Sequence, residues 1–119
     1  MAQGYGDAYL LKAATTGTSQ WFDARGKTHL TFYLSSSGTT SGGAVTLEEM
    51  FPDGTPGTTD ALPFSGTASA ITTAINASTF TGGAQVAHHA TVGAYGFVRA
   101  RISSTITGGG TISVGIVAV

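Results

Sequence analysis

The chain has 119 residues, enough for one domain with a single core and too few for two. Only 9% of the residues are charged, against about 25% in ordinary soluble domains, and the formal net charge is −1. There is no basic run to meet nucleic acid, no cysteine for a disulfide or a thiolate metal site, and no apolar run near the roughly 20 residues of a membrane helix.

Apolar residues make up 41% of the chain, 18 residues are glycine, and Ser and Thr fill much of the remainder. Such a surface is neutral and rich in hydroxyls, with little charge repulsion to oppose self-association. It points to a protein packed against copies of itself or against a larger partner. The opening MAQGYGDAYLLKAATTG lacks a charged start followed by a long apolar core. No signal peptide is expected, and synthesis in a cytoplasm is.

Residues 1–7 read as a flexible, glycine-containing arm ahead of a single domain at 8–119. Ala8–Ala14 suits a strand or a short helix. Gln20–Ala24 is a short strand with one aromatic pointing each way. Thr28–Leu34 alternates, which puts Leu30, Phe32 and Leu34 inward and His29, Thr31 and Tyr33 outward. The stretch Ser35–Gly43, SSSGTTSGG, has the most flexible composition in the chain and reads as a hairpin loop or loose tip. Ala44–Met50 is the next strand, with Val45 and Leu47 opposite Thr46 and Glu48. Phe51–Gly57 carries strong turn residues. Ser69–Ala77 favours strand or irregular structure, and Gln85–Val92 a strand.

The last stretch, Tyr95–Val119, holds two alternating runs around Gly108–Gly110 and reads as a hairpin. Val98, Ala100 and Ile102 share its inner face, with Tyr95, Phe97, Arg99 and Arg101 on the other. In the second run Ile112, Val114, Ile116 and Ala118 share a face. The sum is an all-β domain of about seven or eight short strands, an antiparallel sandwich or jelly roll, with a closed barrel as the alternative.

Chemistry is hard to find in this sequence. His88 and His89 are adjacent in a strand and point to opposite faces, so they would not share one metal ion there; His29 is the third histidine. The six acids are scattered; Glu48 and Glu49 alternate faces, so one is expected on the solvent side and the other at a strand end or paired with Arg25, Lys27, Arg99 or Arg101. No serine sits in a nucleophile elbow. The glycine groups at 42–43, 82–83 and 108–110 do not form a phosphate loop and are read as turn glycines. These readings give no catalytic, cofactor or metal residues, and an enzyme is not expected. Arg99 and Arg101 alternating with aromatics suggest a contact patch, since Arg and Tyr are enriched at interface centres. The candidate interface residues are Tyr5, Trp21, Tyr33, Tyr95, Phe97, Arg99 and Arg101.

The segment Phe97-Val98-Arg99-Ala100-Arg101-Ile102, a Gly/Thr turn, and the run through Ile112, Val114 and Ile116 resemble the closing strands of small β-sandwich virion proteins of tailed bacteriophages. Gln20-Trp21-Phe22, then HLTFYLS, a Gly/Ser/Thr loop and AVTLEE, are similar to an upstream section of the same group. The resemblance implies a structural virion protein without catalytic residues. Its first form is a capsid decoration, or cement, protein on the outer surface of the head. Such a protein would bind the major capsid protein across subunit joints, as a dimer or trimer, and stabilise the shell. A tail, neck or fibre component is the alternative station. A carbohydrate-binding sandwich, using Trp21, Tyr33 and Tyr95 as stacking faces, is the alternative class.

Overall fold

A computed structural model describes residues 7–50, 69–83, 85–90 and 96–119. The strands are β1 (Asp7–Ala14), β2 (Phe22–Asp23), β3 (Leu30–Ser37), β4 (Gly42–Met50), β5 (Ser69–Ala70), β6 (Ile75–Asn76), β7 (Gln85–Ala90), β8 (Phe97–Thr107) and β9 (Thr111–Ala118). Two antiparallel sheets form. The first has the order β1-β9-β3-β7; the second has the order β2-β8-β4-β5, with β6 also on β4. They pack face to face, so the protein is an all-β sandwich, as the alternating pattern predicts.

The alternation sets the core directly. Leu30, Phe32 and Leu34 of β3 and Ile112, Val114, Ile116 and Ala118 of β9 point inward from the first sheet. Val45 and Leu47 of β4, with Val98, Ala100 and Ile106 of β8, meet them from the second. Burying each large aliphatic or aromatic side chain contributes about 1.5–3 kcal/mol. Between β6 and β7 the chain makes 3₁₀ turns, Ala77–Gly83, kinked at Phe80–Gly82. Ala77 and Phe80 are fully buried there and fill one end of the sandwich.

The last two strands do not pair with one another. β8 lies between β2 and β4 in the second sheet, and β9 between β1 and β3 in the first. The expected C-terminal hairpin is therefore an arch, which carries the chain from one sheet to the other at Gly108–Gly110. The connection from β3 to β4 crosses between the sheets in the same way. The two arches lie side by side and are hydrogen-bonded: Gly110 N donates to Thr39 O at 2.7 Å, and Ser41 N to Thr107 O at 2.9 Å. A Cβ on Gly110 would stand 2.5 Å from Ser37 O and 2.6 Å from Thr39 O, which is why a glycine occupies this position.

The same contacts correct the reading of SSSGTTSGG as a loose tip. β3 runs on to Ser37, β4 begins at Gly42, and the connection is short. Its Thr40 is fully buried: its amide donates to Thr81 Oγ1 at 2.7 Å and its hydroxyl to Ala77 O at 2.9 Å. Gly42 and Gly43 belong to a strand rather than a turn. Gly43 has φ +101° where the β4–β8 register shifts, and a Cβ there would meet Thr105 O at 2.6 Å. It is a bulge glycine.

Smaller differences follow. Ala8–Ala14 lies wholly in β1, which takes in Asp7 from the expected arm. The strand expected over Gln20–Ala24 shrinks to the two paired residues of β2. Ser69–Ala77 supplies β5 and β6. The turn at Phe51–Gly57 and the arm's first six residues lie outside the described residues.

Candidate interaction surfaces

The outer face of the second sheet carries a compact set of charges. Strand pairing puts Glu48 of β4 opposite Arg99 of β8, with Arg101 one step along the same face. Glu48 Oε1 accepts from Arg99 Nε at 2.8 Å and Oε2 from Arg101 Nε at 2.9 Å. The carboxylate is nearly covered, at 9% side-chain exposure, while the two guanidinium side chains remain 25% and 40% exposed. Burial pushes the Glu48 carboxyl up. The hydrogen bonds from Arg99 and then Arg101, with their charges, outweigh it and hold the carboxyl below the usual range.

Arg99 also lies over the indole of Trp21, with its guanidinium carbon 4.2 Å from the ring centroid. One carboxylate thus fixes two arginines, and one of these fixes the tryptophan. Nearby, Asp23 holds Arg25 through two parallel hydrogen bonds, Nε to Oδ1 at 2.9 Å and Nη2 to Oδ2 at 2.8 Å. The Arg25 bond and charge pull the Asp23 carboxyl below its usual range despite some burial. Arg25 in turn covers Phe97 at 4.9 Å, and Phe97 is fully buried.

Three of the candidate interface residues, Trp21, Arg99 and Arg101, therefore form one patch. Phe97 lies buried near it, beneath Arg25. Tyr33 is on the opposite side of the molecule, on the outer face of the first sheet. Tyr5 and Tyr95 lie outside the described residues.

Glu49 alternates with Glu48 and turns towards the sandwich interior. Its Oε1 is buried and has no hydrogen-bond partner among the described residues, and burial raises its pKa. The expected pair with arginine forms, but it is the acid on the outer face, Glu48, that makes it, and with two arginines.

The outer face of the first sheet is a different kind of surface. Across it, Tyr9, Gly115, Tyr33 and Ala87 form one row through the pairs Tyr9–Gly115, Gly115–Tyr33 and Tyr33–Ala87. Tyr9 is 66% exposed and Tyr33 45%. Val117 and Thr31 follow in the next row, with His89, whose Nδ1 lies 3.2 Å from Thr31 Oγ1. Among the described side chains, the charge beside this row is that of Lys12, on the edge strand β1. Lys12 Nζ sits 5.5 Å from the Tyr9 ring centroid. His88 pairs with Phe32 and packs against its ring, 6.4 Å between centroids, so the two adjacent histidines do face opposite sides of the sheet.

No family model matches the chain, and no curated protein matches it in sequence. Its fold is similar to that of the SPBc2 prophage-derived protein YomS. The two share 14% sequence identity at a TM-score of 0.57, over 95% of this chain and 91% of that one. At this identity the likeness is one of architecture.

Sequence reasoning found the arginine patch because β8 alternates cleanly. It missed Tyr9, Gly115, Ala87 and Val117, whose common face depends on which strands are neighbours. A cleft of about 330 Å³ lined by Tyr9, Leu10, Gln20, Trp21 and Phe22 also escaped it, since it lies between β1 and β2.

Proposed function

We propose that this protein is a structural component of a tailed-bacteriophage particle, and specifically a decoration protein. It would bind the major capsid protein across subunit joints on the outside of the head, acting through contacts rather than by catalysis. The observation that carries the proposal is the locked patch of Trp21, Arg99, Glu48 and Arg101 on paired strands. Tryptophan and arginine dominate the energetics of protein interfaces. Here both are held in place before any partner arrives, which lowers the entropy cost of binding. The resemblance of the 97–116 segment to virion sandwiches, and the shared architecture with a prophage-derived protein, agree with this reading.

Mass action then explains how such a protein strengthens a shell: a ligand that binds only the assembled state stabilises it. The test is quantitative. The protein is measured in purified particles, and added back to particles that lack it. Hundreds of copies per particle, with occupancy reduced by Trp21→Ala, support the decoration role. A few dozen copies place it in the tail, neck or fibre, and absence from particles refutes the proposal.

The aromatic cleft beside Trp21 favours one second reading, attachment to a surface carbohydrate. Sugars stack on aromatic faces, and Gln20 would supply hydrogen bonds at the rim. Glycan-array binding by the isolated protein, lost in Trp21→Ala, would establish it.

A further inference from the structure

We infer that the outer face of the first sheet is a self-complementary contact, on which a second copy of this chain docks face to face. The inference does not depend on the virion assignment.

It rests on the order of side chains in one row. From edge to edge the sheet presents Tyr9, Gly115, Tyr33 and Ala87: large, small, large, small. Read from the other edge, the row is small, large, small, large. A two-fold axis that lies in the interface, parallel to the strands and midway between β9 and β3, reverses the row and lays it on itself. Each Tyr33 then stands over Gly115 of the other copy, and each Tyr9 over Ala87. Every bulky group meets a gap, which is how two sheets interdigitate at about 10 Å separation. A row ordered large, large, small, small would fit itself this way as well, but one with both tyrosines in the middle or both at the edges would not.

Charge agrees with the geometry. An isologous contact sets each residue of the patch near its own symmetry mate or its neighbours. A like-charged centre would repel itself, and among the described side chains the charge beside this row is Lys12, on β1 at the margin. Area limits the strength. Eight-residue strands of about 26 Å across four strands of about 19 Å give a footprint near 500 Å² per copy. The two footprints sum to about 1,000 Å², at the threshold for a specific interface and below that of a stable one. The dimer is accordingly weak and concentration-dependent in solution.

Sedimentation velocity across a concentration series tests this. The wild type should pass from monomer to dimer as concentration rises. Ala87→Tyr is the discriminating variant: it adds apolar surface on an exposed edge strand, yet sets ring against ring. It should weaken association at least tenfold, whereas sticking without register would be strengthened by it. Tyr33→Asp should also weaken association at least tenfold, and Thr105→Ala, on β8 of the other sheet, should not change it. Unaltered thermal melting of each variant keeps the comparison one of association. A wild type that stays monomeric to about 1 mM, the weak end of measurable affinity, overturns the inference. So does Ala87→Tyr associating as tightly as the wild type or more so.

Discussion

Replacing Glu48 by glutamine keeps the shape of the side chain and removes the charge that holds Arg99 and Arg101. The cost can be bracketed from the geometry. Exposed ion pairs contribute about 0–1 kcal/mol, and breaking a fully buried pair costs about 3–5 kcal/mol. Glu48 is nearly covered, but both arginines reach water, which can solvate them once the carboxylate is gone. An intermediate loss of about 2 kcal/mol follows. For a domain of this size it corresponds to a fall in Tm of about 6–10 °C. The pH dependence has a definite sign. The folded-state pKa of Glu48 lies below its unfolded value, so its stabilisation is present above about pH 4.3 and is lost as pH falls through the folded pKa. Thermal melts of wild type and Glu48→Gln should therefore differ clearly at pH 7 and converge in acid. Equal Tm values at pH 7, or a gap that persists undiminished at acid pH, would refute the claim that this carboxylate works as an ion-paired clamp.

Val98→Asp places an unpaired charge on a fully buried inner position and should cost more than about 3 kcal/mol or prevent folding, seen by urea denaturation; an unchanged midpoint would mean the faces of β8 are reversed. Glu49→Gln should raise Tm at pH 7 and leave it unchanged near pH 4. Its folded pKa is raised by burial, so its favourable, protonated form is lost as pH rises through that value, and the charged form opposes folding at neutrality. Thr40→Val leaves Ala77 O without its donor inside the packed arch and should cost about 1–2 kcal/mol by the same melts. Arg99→Lys keeps a charge but loses the flat stack on Trp21. Because the chain has a single tryptophan, the change should show as increased quenching of its fluorescence by acrylamide.

Period-two alternation reports which face a residue takes, and it was right along β3, β4, β8 and β9. It does not report which strand lies alongside. Val98 and Ala100 do look towards Ile112, Val114 and Ile116, but across the core rather than from the next strand. A short glycine turn between two alternating runs fits an arch as well as a hairpin. What decides is the neighbouring arch at 38–41, whose carbonyls take the Gly110 amide. The misreading of SSSGTTSGG has a related cause. Composition treats Ser and Thr as solvent-seeking, yet Thr40 and Ser36 spend their hydroxyls on Ala77 O and Phe80 O inside the fold. The Glu48 clamp was half legible, since alternation and charge nominated its partners but could not say that one carboxylate takes both. Of the tyrosine row only the outward Tyr33 was legible, because the row is assembled from β1, β9, β3 and β7, which are far apart in the chain.

A neutral face with exposed tyrosines is also a hazard, and the edge strand next to it explains why stacking between faces, rather than pairing between edges, is the expected mode of association. A straight, regular edge offers a ladder of free backbone groups to any passing strand. β1 does not. Its register against β9 shifts between Tyr9 and Leu11 and again between Leu11 and Ala14, and Ala13 has φ +50°, in the left-handed region that a non-glycine residue seldom takes. Ser113 Oγ accepts from the Ala13 amide at 3.0 Å and holds that kink in place. Two irregularities within eight residues, plus the Lys12 charge, spoil the edge as a template for continued sheet growth. The face remains open while the β1 edge is spoiled, so growth of the sheet past β1 is blocked and stacking of faces is the mode left on that side.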